Sequence, residues 1–153
     1  EAIYKNVPDT YMITIMRRMM YRIAERVSKR RNCKVIINGE SIGQVASQTL
    51  ESLTAINDVT NTPILRPLIS SDKNDIIKIA EKIGTFETSI QPYEDCCTIF
   101  TPSSPKTKPK LEKVQHFESF TEFEELIERA VKNREVYSFP QKEVKQDKFA
   151  DLL

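Results

Sequence analysis

Lys34-Val35-Ile36-Ile37-Asn38-Gly39-Glu40-Ser41-Ile42-Gly43-Gln44-Val45-Ala46-Ser47-Gln48-Thr49 is the stretch that decides the fold. Val35, Ile36 and Ile37 form an unbroken β-branched run, the pattern of a parallel strand buried on both faces. The run predicts a strand from about Lys34 to Asn38, a turn through Ser41, then a helix from about Ser41 to Ile56. In open α/β sheets, ligands bind beyond the carboxyl ends of strands. Gly39 sits at that edge, where a side chain would obstruct close approach to the backbone. Neither G-x-G-x-x-G nor G-x-x-x-x-G-K-[ST] is present, so the usual dinucleotide and Walker signatures do not apply.

Upstream, residues 1–8 read as a linker or strand tail, with Asp9 or Thr10 able to cap a helix. From Tyr11 to about Arg31, Met12, Ile15, Met16, Met19, Met20, Ile23 and Val27 recur at helical spacing. The other side carries Arg17, Arg18, Arg22, Glu25, Arg26, Lys29, Arg30 and Arg31, which suits either a solvated face or a contact to phosphate. Downstream, Asn57 to Pro63 is a polar connection and Ile64 to Leu68 a short strand, with Pro67 confining it to an end or edge. Ser71 or Asp72 caps a helix through about Lys82, with Ile76, Ile77, Ala80 and Ile83 on one face and Gly84 as its left-handed cap. Arg66 either faces the site or forms a surface ion pair. Helices are expected over Leu111–Phe117 and Thr121–Lys132, the second burying Phe123, Leu126, Ile127 and Ala130. Glu135–Phe139 reads as a short strand and Lys142–Leu153 as a polar tail.

The 153 residues allow one domain with a real core, and 23 Lys and Arg against 22 Asp and Glu give no strongly basic nucleic-acid signature. No apolar run is long enough to span a membrane, and the first residues do not resemble a secretory signal. Three cysteines do not make a disulfide scaffold, and reduced thiols of a cytoplasmic protein fit better. Cys96 and Cys97 are adjacent, a poor zinc half-site, and the lone His116 has no companion, so no metal is expected. That leaves two ordinary thiols or a reactive one, since Lys106, Lys108 and Lys110 would lower a thiol pKa while Glu94 and Asp95 oppose them. Cys33 reads as a small buried residue.

Gly39-Glu40-Ser41-Ile42-Gly43-Gln44-Val45-Ala46-Ser47-Gln48-Thr49-Leu50, then Pro67-Leu68-Ile69, then Pro92-Tyr93-Glu94-Asp95-Cys96-Cys97-Thr98 together resemble the bacterial tRNA 4-thiouridine synthases, sulfurtransferases also tied to thiamine thiazole synthesis. The resemblance runs from about Thr10 to Pro109. It implies an α/β, three-layer PP-loop ATP pyrophosphatase fold, of which only the carboxyl-side portion is present, over 1–139, with a tail over 140–153. The family's S-G-G-x-D-S loop is absent, and the opening Glu1-Ala2-Ile3-Tyr4-Lys5 suits a piece of a longer protein. Arg17, Gly39 and Gln48 match family positions that contact ATP, with Ser41, Gln44 and Ser47 as neighbours. Cys97 matches the catalytic cysteine, with Cys96 as understudy. Implied besides are Mg2+ with the ATP, tRNA as substrate, a cysteine desulfurase as persulfide donor and a thiamine sulfur-carrier protein as a further partner. No cysteine follows Cys97, so a persulfide-bearing rhodanese extension is not expected. The rivals are another PP-loop ATPase of tRNA thiolation, an amidotransferase-type synthetase, and a non-catalytic binding module.

Overall fold

The computed structural model describes residues 1–45, 48–93 and 104–139. Ser47, Cys96, Cys97 and the tail from Lys142 lie outside the described residues. In chain order the elements are α1 (Ala2–Asn6), α2 (Asp9–Arg30), β1 (Ile36–Ile37), α3 (Leu50–Asn57), β2 (Ile64–Leu65), α4 (Lys73–Lys82), α5 (Phe86–Ser89), α6 (Leu111–Glu118) and α7 (Phe123–Lys132). Helices and a parallel strand pair in one chain make it α/β. Strands β1 and β2 pair in parallel, Ile36 opposite Ile64 and Ile37 opposite Leu65. Pro63 and Pro67 flank β2 and can donate nothing to a ladder, which keeps the strand short.

Helix α2 is the spine. Tyr11, Met12, Ile15 and Met19 on one of its stripes join Ala55 of α3, Val114 of α6, and Phe123, Ile127 and Val131 of α7 in a single buried cluster. Repeats of three and four residues place these side chains on one face. The helix ends in a Schellman motif: Asn32 takes φ +56°, Cys33 N–H donates to Ser28 O at 2.9 Å, and Asn32 N–H to Lys29 O at 3.3 Å. Helix α4 ends the same way through Gly84 (φ +73°), with Thr85 N–H donating to Ala80 O at 2.9 Å. It begins at Asp72, whose carboxylate accepts from Asp75 N–H at 2.9 Å, as the sequence predicts.

Several expectations are corrected. Residues 2–6 are helical rather than a linker, and Pro8, not Asp9 or Thr10, occupies the cap position of α2. The helix expected from Ser41 starts only at Leu50, because Gly43 takes a left-handed φ of +80° and Thr49 caps α3, accepting from Ser52 N–H at 3.1 Å. The segment before it is a turn tied down by Ile42 N–H to Ile69 O at 3.0 Å. Strand β1 is not buried on both faces: Ile37 is 63 % exposed beside an exposed Leu65. Alternation puts Ile36 towards α2 and Ile37 on the opposite face, where no described element packs.

Arg18 is buried at 1 % exposure, not solvated, because it lies three residues from Ile15 on the core side of α2. Its guanidinium bonds Glu118 at 2.8 Å, Asp58 at 3.2 Å and the carbonyl of Ala55, tying α2 to α3 and α6. Cys33 is exposed just beyond the helix end. Helix α7 begins at Phe123 and buries Val131 rather than Ala130, following the four-residue step from Phe123 and Ile127. Residues 135–139 form no strand, and Tyr137 and Phe139 stand exposed.

Candidate functional site

A second stripe of α2, formed by Ile13, Met16, Arg17, Met20 and Ala24, does not enter the core. It lines a cavity of about 420 Å³ closed on the other side by Ile36, Asn38, Glu40, Val45 and Gln48. One wall is thus helix, the other the end of β1 and the turn after it. The interior is mainly apolar with a few convergent polar groups, the character of a small-molecule site.

Glu40 organises the polar side. One carboxylate oxygen pairs with the Arg17 guanidinium, and the other accepts from Arg66 Nε at 2.6 Å. The same oxygen accepts from Tyr21 Oη at 3.1 Å and from Asn38 Nδ2 at 3.0 Å. Arg66 also donates to Asn57 Oδ1 at 2.7 Å, which links the ends of β1, β2 and α3. Arg66 is not among the residues lining the cavity; it supports Glu40 from behind in an ion pair of low exposure. Two guanidiniums thus share one carboxylate at low exposure, an arrangement stable only when the partners stay in place.

Gln48 differs from every other polar group around the cavity. Its Oε1 is buried and has no hydrogen-bond partner among the described residues. A buried acceptor left unmatched costs about 1–3 kcal/mol, so an atom of this kind beside a cavity is suited to a ligand's donor. Arg17 and Gln48 are thus brought to one cavity. Gly39 lies between Asn38 and Glu40 but is not among the residues lining the cavity; it is exposed, and a methyl group built on it meets no described atom within 4 Å. Ser41 is turned away, donating to Ser71 O at 2.7 Å, and Gln44 is exposed.

Tyr21, Asn38 and Glu40 line the cavity without having been assigned from the sequence, and Arg66, left open there, forms the ion pair behind Glu40. A signal was present: Tyr21 stands one turn after Arg17, and Asn38 and Glu40 alternate at the strand end. The remaining arginines of α2 are engaged elsewhere. Arg22 bonds Glu118 at 2.8 Å, while Arg26 reaches Glu124 and Glu128 at 2.6 Å each. The Glu124 hydrogen bond holds the Arg26 pKa up, and the same bond holds that of Glu124 down. Among the described residues no group of three His, Cys, Asp or Glu could hold a metal ion, and no helix is long and apolar enough to cross a membrane.

The family model described as thiamine biosynthesis protein (ThiI) matches residues 1–123. A protein of Lysinibacillus sphaericus (strain C3-41) described as "Probable tRNA sulfurtransferase" is 69% identical over 153 residues, which is 99% of this chain and 38% of that protein. One of Bacillus subtilis (strain 168), with the same description, is 59% identical over 153 residues, covering 100% of this chain and 38% of its own length. A crystal structure of a 4-thiouridine synthetase–RNA complex with bound ATP superposes with a TM-score of 0.81 at 40% identity, covering 88% of this chain and 35% of that one. The chain therefore spans about 38% of the length of the curated relatives it matches. With a family model over four-fifths of its residues and relatives at this identity, the chain belongs to the thiamine biosynthesis protein (ThiI) family.

Proposed function

We propose that the chain is the carboxyl-side part, 1–139 with a tail over 140–153, of a three-layer PP-loop ATP pyrophosphatase domain in a cytoplasmic tRNA sulfurtransferase. The reading rests on one observation above others: Arg17 and Gln48, whose Oε1 has no partner among the described residues, line one largely apolar cavity beyond the end of β1. Met16, Met20, Ile36 and Val45 suit the faces of a purine, and Gln48 Oε1 can accept from an N–H or hydroxyl of the nucleotide. Arg17 supplies a planar cation for its phosphate oxygens. The open space over Gly39 lets ATP approach the backbone. No described cluster of carboxylates fits a resident Mg2+, so the ion would arrive with the nucleotide's phosphates.

In this reaction the C4 oxygen of a tRNA uridine, at position eight, attacks the α-phosphorus of ATP and pyrophosphate leaves. The terminal sulfur of a persulfide, supplied by a cysteine desulfurase, then attacks C4 and AMP leaves, giving a sulfur–sulfur adduct that becomes 4-thiouridine once its sulfur–sulfur link is cut. A second thiol cleaves the sulfur–sulfur link, and the resulting disulfide is returned to thiols by an external thiol reductant. Cys97 carries the persulfide or resolves it, with Cys96 as the alternative thiol. Splitting the substitution into an activation and a displacement replaces one difficult step with two easier ones. The same sulfur can pass to a thiamine sulfur-carrier protein.

Calorimetric titration of ATP into the full-length protein tests the cavity. Arg17→Ala is expected to weaken binding at least tenfold, about 1.4 kcal/mol. Unchanged affinity would place the nucleotide elsewhere.

A further inference from the structure

The positive charge of α2 is largely neutralised within the fold, so a surface that meets an RNA backbone must lie elsewhere. The segment from Ser104 to Lys113 holds four lysines and one glutamate. Lys106, Lys108, Lys110 and Lys113 are all exposed. The segment is nonetheless pinned. Lys106 N–H donates to Thr10 O at 3.0 Å, and the hydroxyls of Thr49 and Ser52 both donate to Thr107 O, the second at 3.2 Å. Pro109 is buried beneath it. Lys108 meets Glu51 at 3.6 Å with its side chain 76% exposed, an ion pair too solvated to hold the ammonium from another anion.

We propose that Lys106, Lys108 and Lys110 form a backbone-fixed rail for the phosphodiester chain of the RNA substrate. The inference rests on the tRNA sulfurtransferase reading. Two relationships carry it. Thr49, which bonds the rail, directly follows Gln48 of the cavity wall. Lys106 follows Cys97 by nine residues. The rail thus adjoins the nucleotide site in space and the proposed reactive thiol in sequence. An enzyme that alters a base within folded RNA must draw that base out of its stack. The flanking phosphates then need charge at the mouth of the site. Ammonium groups on a fixed backbone supply charge without reading sequence, which suits contact to phosphates rather than bases.

The test is tRNA binding by the full-length protein, followed by fluorescence anisotropy across a range of salt. The variant is Lys106→Gln/Lys108→Gln/Lys110→Gln. The comparison is Lys73→Gln/Lys78→Gln/Lys82→Gln, which removes equal charge from exposed positions of α4. Each phosphate contact contributes about 0.7–0.9 to the slope of log K against log salt. The rail variant is expected to show a slope shallower by about 2 and roughly tenfold weaker binding at low salt. The α4 variant is expected to keep the wild-type slope, and ATP affinity is expected to be unchanged in both. A wild-type slope in the rail variant, or equal change in both variants, overturns the rail. A wild type that does not bind tRNA removes the parent reading instead, and is distinguishable because it needs no variant.

Discussion

Arg66 Nε donates to Glu40 Oε2 at 2.6 Å, while the opposite oxygen of the same carboxylate pairs with Arg17. The cation expected to meet a nucleotide is therefore held by an acid that is itself held by a second cation from the neighbouring strand end. Removing Arg66 leaves Glu40 half-paired at low exposure. Arg66→Ala is expected to destabilise the fold on the order of 3 kcal/mol and to weaken ATP binding. Arg66→Lys keeps the charge but not the fork that reaches Glu40 and Asn57 together, and is expected to recover only part of the loss. Urea unfolding and ATP titration of both variants check this.

Gln48 separates stability from binding. Its Oε1 is buried without a partner among the described residues, so Gln48→Leu removes an unsatisfied group at nearly constant volume. The melting temperature without ATP is expected to stay level or rise. The further rise on adding ATP is expected to shrink, because the acceptor is gone. Thermal melts with and without ATP measure both.

Gly39 gives a second separation. A methyl group there meets no described atom within 4 Å, and the residue does not have a positive φ. Gly39→Ala is expected to change stability by less than about 1 kcal/mol. If ATP lies over this backbone, the methyl group takes its place and affinity falls. Chemical denaturation and ATP titration of the same sample decide it.

Acid sensitivity has a named contributor. Burial pushes the Glu25 carboxyl up, but hydrogen bonds from Thr60, Lys29 and Thr62 and the Lys29 charge outweigh it, leaving the pKa below 4.5. A group depressed in the folded state binds fewer protons there than when unfolded, so its stabilisation is present above about 4.5 and lost as pH falls through the folded value. Glu25→Gln is expected to flatten the acid limb of stability against pH and to leave the shape near neutrality unchanged. Denaturant midpoints taken from pH about 3 to 7 show it.

The sequence made the periodic parts readable. The apolar stripe of α2, the Asp72 cap and the Gly84 stop follow from spacing and residue type, and the structure has all three. What it hid were partnerships across the chain. Arg18 reads as one of several arginines until Glu118, a hundred positions away, is seen beside it. Glu40 and Arg66 join in the same way through the pairing of β1 and β2. The turn over 41–45 was misread because serine and glutamine suit a helix, whereas the left-handed Gly43 stops one. The cavity itself is not legible from spacing, since two stripes on one helix look like a single broad apolar face.

The most direct test of the account is 4-thiouridine formation by the full-length protein, read by near-ultraviolet absorbance of the tRNA, with Cys97→Ser and Cys96→Ser compared in parallel. Substrate tRNA, ATP, a thiol reductant, and a cysteine desulfurase with cysteine are supplied. The account predicts product from the unmutated protein only when ATP is present, and loss of product in Cys97→Ser. Loss in Cys96→Ser alone would move the thiol by one residue. Full activity in both variants, or product without ATP, would contradict an ATP-driven sulfur relay through this chain.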